Sequence, residues 1–427
     1  MTANGLFTVR IERIASGGAG VARIPVPGGP GRPAADGSMA VFTGFTAPGD
    51  LARVRIRSLH KNWAEAELAG IEEASPSRVT PPCPSYGLCG GCSLQHLEYG
   101  AQLAEKAAIL KDALARIGGF DALPEIRIVP SPPYAYRNRV RLHRDPESGK
   151  IGFRGRKSGE IVPAGDCPVA VGRIRDFLKN SREEGSDPGQ FALYARGDIL
   201  LCESCGGPRK NAPGSAPENT GGIIMEDDGV LSGIPRYPGR GRIPVLDREI
   251  TADAGLFFQS NSVMLEKLIP GLLSASEKAD PRLPAADIYC GVGTFAVFLQ
   301  DRFERLDLVE ENRTALGLAR QNTGGRGRRY FAGKDDDWVR EILRGKPGGY
   351  GFAVVDPPRR GLSRLIREYL AGNGPPVLAY VSCDPASLAR DCKVLANGGY
   401  RLESLAFYDF YPQTAHIESL SVLTREK

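Results

Sequence analysis

No stretch of the 427-residue sequence approaches the ~18 consecutive apolar residues of a membrane-spanning helix. Met1 to Val9 lack a charged start with an apolar core behind it, so no secretory signal is expected and the cytoplasm is the expected location. No internal repeat stands out. The net charge of +5 is too mild to define a partner by itself. Apolar residues at 41% and charged residues at 25% exclude wholesale disorder. In a reducing compartment, nine cysteines read as metal ligands, nucleophiles or core residues rather than as a disulfide framework. At ~100–200 residues per domain, the length implies about two to four domains.

The first ~75 residues hold short alternating strands between Gly/Pro turns, the pattern of a small closed β-barrel. "LFTVRIERI" alternates, and "LARVRIRSL" puts Val54 and Ile56 on one face and Arg53, Arg55 and Arg57 on the other. This pattern resembles a TRAM domain, an OB-like barrel appended to RNA-modifying enzymes. "SPSRVTPPCP" reads as a linker, and "SLQHLEYGAQLAEKAAILKDALARIGG" as a helix stopped at Gly118-Gly119. Strand-like segments fill roughly 125–250, interrupted by Gly206 to Gly222, whose composition predicts a mobile surface loop. Charge is concentrated here: Arg127 to Lys157 holds nine Lys or Arg against Asp145 and Glu147. Within it, "YAYRNRVRLHR" (Tyr134 to Arg144) reads as a strand with one basic face, either simply solvated or tracking nucleic-acid phosphates. From about Thr251, apolar strand-like runs alternate with helical patterns, which argues for an α/β domain with a mostly parallel sheet.

"DIYCGVGTFAVFLQ" (Asp287 to Gln300) is a strand, a glycine-rich turn and a helix start. Ligands bind at the carboxyl ends of such strands. Gly291 and Gly293 lack the third glycine of a dinucleotide fingerprint, which argues against an NAD site. Glu310 in "LDLVEEN" ends the next strand, where a carboxylate can accept hydrogen bonds from ribose hydroxyls, and Asp356 in "VVDPPRRG" ends another. Together they suggest an S-adenosylmethionine pocket in a Rossmann-like domain. In "YVSCDPASLARD", Cys383 lies between an apolar strand and a helix start, where the helix dipole is expected to lower a thiol pKa, making Cys383 a nucleophile candidate.

"FFQSN" (Phe257 to Asn261), "DIYCGVGTF", "DPPRRGL", "VSCDPASLARD" and "DFYPQTAHIE", in that order, resemble the RNA 5-methyluridine methyltransferase family. The resemblance implies transfer of a methyl group from S-adenosylmethionine to uracil C5 in RNA, with Cys383 as nucleophile and Glu418 as base. It also implies that Gln259, Tyr289, Glu310 and Asp356 contact the methyl donor, with Gly291, Gly293 and Thr294 in its loop. "FAGKDDD" departs from the family pattern, so the contact expected there stays unassigned. The chemistry explains the residue types: a thiolate adding to C6 makes C5 nucleophilic, and a base must then take the C5 proton so that the thiolate can leave. The target uridine must leave its stack to reach the thiol.

"CPSYGLCGGC" supplies Cys83, Cys89 and Cys92, and "AGDCPV" supplies Cys167. Three cysteines within ten residues and a distant fourth suit an iron–sulfur cluster, with a four-thiolate zinc site as the chemical rival. The pattern matches the [4Fe-4S] site of the TRAM-bearing branch of the family. Cys202 and Cys205 in "CESC" read as ordinary thiols at a strand end, Cys392 as core, and Cys290 as part of the cofactor turn.

The expected fold class is therefore α/β, in three parts. These are a TRAM barrel at 1–75, a central β-rich iron–sulfur and RNA-contacting domain at 76–92 plus 120–250, and a methyltransferase domain at 93–119 plus 251–427. The resemblance places the helix near residue 100 with the catalytic domain, and implies RNA as partner, no membrane and a monomer. The resemblance to the barrel- and cluster-bearing branch of the family implies 23S rRNA ahead of tRNA. A non-catalytic RNA-binding ribosome-assembly protein would not explain Cys383, Glu418 and the donor pocket together. A DNA cytosine-C5 methyltransferase would place its cysteine after proline, whereas here the context is Ser382-Cys383-Asp384.

Overall fold

The computed structural model describes residues 5–25, 38–145, 147–156, 158–180, 190–205, 239–344 and 349–426. The loop expected at Gly206 to Gly222 lies outside them.

The N-terminal strands form a six-stranded sheet ordered Leu6–Arg10, Leu51–Leu59, Trp63–Glu73, Ser38–Gly44, Ala19–Pro25 and Arg13–Ile14. Its two edge strands are consecutive in the chain and separated only by Ile11 and Glu12, so the sheet curls until its edges approach. Val54 and Ile56 point into its core with Val9, Ile24 and Val41, as the alternation requires. Arg53, Arg55 and Arg57 face outward, but Arg53 and Arg57 are paired with Glu72 and Glu67, which reduces the basic character of that face.

A five-stranded antiparallel sheet follows, built from Arg139–Arg144, Ile151–Arg154, Ile161–Pro163, Gln190–Arg196 and Ile199–Cys205. Helix Gly172–Asn180 covers it through Ile174, Phe177 and Leu178. The basic-face strand is only partly realised. Arg141 is exposed, but Arg144 is buried and donates to Gly149 O, and Arg139 donates to Ala254 O. These guanidinium groups satisfy backbone carbonyls inside the fold, a use that periodicity cannot distinguish from a solvated face.

The C-terminal half forms an eight-stranded mixed sheet. In chain order its strands are β1 (Ile126–Val129), β2 (Ala285–Ile288), β3 (Leu306–Glu310), β4 (Arg328–Ala332), β5 (Phe352–Val355), β6 (Val377–Ser382), β7 (Arg401–Tyr408) and β8 (Glu418–Thr424). Their order in space is β4-β3-β2-β5-β6-β8-β7-β1. Strands β2 to β6 are mutually parallel, and β8 is antiparallel to its neighbours β6 and β7. The central strands β5 and β6 read as nearly continuous apolar runs because both faces of the sheet are covered. One face carries helix Ser262–Glu277 and the hairpin Arg240–Val245/Arg248–Asp253. The other carries helices Tyr99–Arg116 and Pro385–Asn397, joined through Leu110, Leu114, Leu388 and Leu395. The helix near residue 100 thus packs on the catalytic sheet, and the edge strand β1 after it extends the same sheet.

Among the described residues, no helix is long and apolar enough to cross a membrane.

Candidate active site

The strand order reverses between β2 and β5, the kind of point at whose strand carboxyl ends open α/β sheets bind ligands. After β2 the chain turns sharply: Tyr289, Gly291 and Gly293 all have positive φ, at 67°, 56° and 81°. At Gly293 a Cβ would sit 3.1 Å from the Ala319 Cβ, so a side chain there would press on the neighbouring helix. Glu310, ending β3, accepts from Gly291 N at 3.0 Å and from Asn312 N at 2.7 Å. Asp356 follows β5, with its backbone N bonded to Ile288 O at 3.2 Å. The turn and both acidic strand ends are therefore one assembly, with Thr294 half-exposed in the same turn.

Beneath the turn, Asp287 is fully buried and accepts from Ala296 N at 3.0 Å, while its Oδ1 has no partner among the described residues. Burial, together with Asp356 and Glu310, pushes it up to about 8; burial pushes Asp356 up to about 7. Gln259 is buried, and its Oε1 also lacks a partner among the described residues. The "FAGKDDD" segment, left open in the sequence, supplies a further acid. Asp335 is buried at the start of helix Asp335–Arg344, accepts from the Tyr289 hydroxyl, and lies 3.4 Å from Ser363 N. The available signal was an acidic triplet just past the end of β4.

Strands β6 and β8 bring Cys383 and Glu418 together. Their ladder pairs Ser382 with Ser419, which puts Cys383 opposite Glu418 one position further on. Glu418 is buried, with Oε1 unpartnered among the described residues. Burial and the nearby Asp356 raise its carboxyl well above the usual range, while Arg359 opposes the shift. Burial first, then Glu418 and Asp356, push the Cys383 thiol up to about 12. This reverses the expected helix-dipole effect on the thiol. The helix begins at Pro385, and the Asp384 carboxylate caps it by accepting from Ser387 N at 2.7 Å, so an anion occupies the positive end.

Cys383 lines a cavity of about 340 Å³ together with Arg156, Arg359, His416, Gly91 and Ser16. Arg359 Nη2 lies 2.9 Å from His416 Nδ1. Restricted solvation, Arg359 and Arg137 hold His416 down at about 4, so the ring is neutral at physiological pH. The segment from Asp409 to Glu418 is anchored by a buried ion pair: Lys106 Nζ donates to Asp409 Oδ1 at 2.7 Å and to Tyr411 O at 3.0 Å. That anchor joins residues far apart in the chain and was not visible in the sequence.

Cys83, Cys89, Cys92 and Cys167 line a second cavity of about 150 Å³, with Arg137 on its wall. Among the described residues, however, no group of three or more His, Cys, Asp or Glu is arranged to hold a metal ion. The expected centre is thus present as four thiols around one space and not as a formed metal-ion site. Cys202 lies on strand Ile199–Cys205, opposite Leu193. Cys290 and Cys392 are buried, the latter fully.

A glycine turn flanked by acidic strand ends, on a sheet whose last strand runs antiparallel, defines an α/β methyltransferase fold of the S-adenosylmethionine-dependent class. Comparison with known proteins narrows the class. A family model described as tRNA (Uracil-5-)-methyltransferase matches residues 349–426, the stretch holding Asp356, Cys383 and Glu418. The chain is 30% identical to the 23S rRNA (uracil(1939)-C(5))-methyltransferase RlmD of Chromohalobacter salexigens, covering 100% of this chain and 90% of that protein. It is 29% identical to an RNA methyltransferase of Aquifex aeolicus, with 97% of each chain covered. The crystal structure of Pyrococcus abyssi tRNA (uracil-54, C5)-methyltransferase with S-adenosyl-L-homocysteine shares the fold, with a TM-score of 0.67 at 24% identity, covering 98% of this chain and 100% of that one. The chain belongs to the RNA (uracil-C5)-methyltransferase family.

Proposed function

We propose that this enzyme methylates C5 of a uridine in 23S rRNA through a covalent adduct between Cys383 and uracil C6. The observation that carries the reading is the Cys383–Glu418 juxtaposition. A buried carboxyl oxygen without a hydrogen-bond partner costs stability, and a site keeps one where chemistry uses it. A non-catalytic RNA-binding module has no use for that arrangement.

In this reading the Cys383 thiol loses its proton to solvent, the thiolate adds to C6, and the C5–C6 electron pair moves to C5 and O4. S-adenosylmethionine supplies an electrophilic methyl group. Gln259, Tyr289, Gly291, Gly293, Thr294, Glu310 and Asp356 hold that donor, and Asp335 fixes the Tyr289 ring. Once C5 carries the methyl group, Glu418 takes the C5 proton, the C5–C6 double bond re-forms and the C6–S bond breaks. A high proton affinity suits Glu418 to that last step. The cavity shared by Cys383 and Arg359 receives the flipped uracil.

The four cysteines around one cavity suit a thiolate-ligated [4Fe-4S] cluster, which would hold the segment Cys83–Cys92 against Cys167 and serve no redox step in methyl transfer. The curled N-terminal sheet is read as a TRAM barrel, within the division 1–75, 76–92 plus 120–250, and 93–119 plus 251–427. Strand β1 and the hairpin at Arg240–Asp253 pack with the last part. The 23S rRNA assignment follows the relative that is similar over the whole chain; tRNA is the second reading, favoured by the family model over 349–426. Nucleoside mass spectrometry of 23S rRNA and tRNA from a strain lacking the gene tests the target. Loss of 5-methyluridine from 23S rRNA alone supports the assignment, and loss from tRNA alone contradicts it.

A further inference from the structure

Within the segment Asp409 to Glu418, Gln413 adopts a left-handed backbone with φ 66°, a conformation that is costly for a residue with a side chain. It is buried and held from several directions. Its backbone N donates to Gln102 Oε1 at 2.9 Å, and its Oε1 accepts from Gln102 Nε2 at 3.0 Å. Its carbonyl accepts from Ser93 N and Leu94 N, both at 3.0 Å. Gln102, on helix Tyr99–Arg116, shares its amide protons with Leu94 O at 3.1 Å and Leu97 O at 2.8 Å as well. Two residues beyond Gln413, Ala415 N donates to Ser93 Oγ at 3.1 Å. One buried amide pair therefore ties the helix and the stretch just after Cys92 to the chain that leads into Glu418.

The position of Cys383 does not depend on this tie. Its strand β6 is fixed by β5 and β8, and the helix after it is capped by Asp384. The approach to Glu418 does depend on it, because the left-handed residue reverses the chain just before β8 begins.

We propose that Gln102 and Gln413 are positioning residues that aim Glu418 at the C5 proton. This rests on the reading of Glu418 as the base. Loosening the pair slows the release step while leaving addition of Cys383 intact.

The test uses the full chain with Gln413→Leu, Gln102→Leu, the double variant and Glu418→Gln, each incubated with substrate RNA and methyl donor. For both single leucine variants we expect kcat to fall about 10- to 100-fold, with the donor KM within about twofold of wild type. The rate of trapping on 5-fluorouridine RNA should be unchanged, and a covalent adduct with ordinary RNA should accumulate on a denaturing gel. The double variant should be about as impaired as Gln102→Leu, since that single change already removes both hydrogen bonds between the two residues. Gln413→Gly guards against misfolding: it accepts the left-handed backbone without strain, keeps the backbone bonds and lacks the side-chain acceptor. It too should accumulate adduct. Wild-type kcat in Gln413→Gly, or a fall in trapping that matches the fall in kcat, would overturn the proposal. If Glu418→Gln accumulates adduct and no Gln413 variant does, the positioning role alone falls. If Glu418→Gln turns over normally, the base assignment falls with it.

Discussion

Cys383 and Glu418 face one another across the antiparallel strands β6 and β8, one position beyond the paired Ser382 and Ser419. Sulfur and carboxyl are thereby presented from two strands of one rigid sheet, a more exact support than a pair of loops. Cys383→Ala is expected to abolish methylation of RNA while leaving binding of the methyl donor within about twofold, since the residues proposed to hold the donor lie in the turn after β2, at the end of β3, just after β5 and at Gln259, and none is on β6. Donor binding by calorimetry beside methyl incorporation checks this; a comparable methylation rate in the variant removes Cys383 from the reaction.

Burial, with Glu418 and Asp356 nearby, pushes the Cys383 thiol up to about 12, and burial with Asp356 raises the Glu418 carboxyl above its ordinary range. The reactive thiolate therefore becomes more abundant as pH rises. The single-turnover rate of trapping on 5-fluorouridine RNA should climb between about pH 6 and 9, by up to about tenfold per unit if one proton is lost. A profile that falls over this interval contradicts the account.

Glu418 also makes a stability prediction of definite sign. Its carboxyl ordinarily titrates near 4.5, and the folded value is higher. Between those two values the unfolded chain releases a proton that the folded chain keeps, so the residue lowers stability progressively as pH rises. Glu418→Gln removes that penalty. The variant should melt above wild type at pH 8, by about 2–4 °C for each kcal/mol recovered, and show no such gain at pH 4. Calorimetry at the two pH values decides it; an equal change at both would mean the effect is packing.

Lys106 and Asp409 are both essentially excluded from solvent. Lys106→Met leaves the Asp409 carboxylate buried without its cation, a loss of about 3–5 kcal/mol. Lys106→Met combined with Asp409→Asn removes the stranded charge and should recover part of that loss. Urea unfolding of the two variants measures the difference; equal destabilisation would mean the pair contributes through shape alone.

The parts legible in the sequence are those whose chemistry sits at a strand end. Asp287 to Thr294 read as strand, turn and helix because apolar run and glycines are contiguous, and at Ser382 to Pro385 an apolar run passes straight into a helix start. The Lys106–Asp409 and Gln102–Gln413 contacts join residues 303 and 311 positions apart, and neither hydrophobic period nor motif encodes such pairs. The surroundings of the Cys383 thiol are hidden from the sequence for a related reason. A helix start was visible, but the burial of Glu418 opposite it and the capping carboxylate of Asp384 belong to the folded site. Arg139 and Arg144 looked like surface charge because alternation shows a side chain's face and not the carbonyl it meets.

The cysteine cavity carries its own prediction. Anaerobically purified protein should be brown and hold about four iron atoms and inorganic sulfide per chain. Cys167→Ser, which removes the one thiol remote in sequence from the others, should lower the iron content. Colourless protein with one zinc and no sulfide contradicts a cluster.

Peptide mass spectrometry tests the covalent role of Cys383 directly. The enzyme is incubated with 5-fluorouridine RNA and methyl donor, digested with nuclease and protease, and the modified peptide sequenced. A single modified peptide is expected, whose Cys383 carries a methylated fluorouridine formed only when the donor is present. A modification on a different residue, or full methylation of ordinary RNA by an enzyme that yields no adduct with the fluorinated RNA, would contradict it.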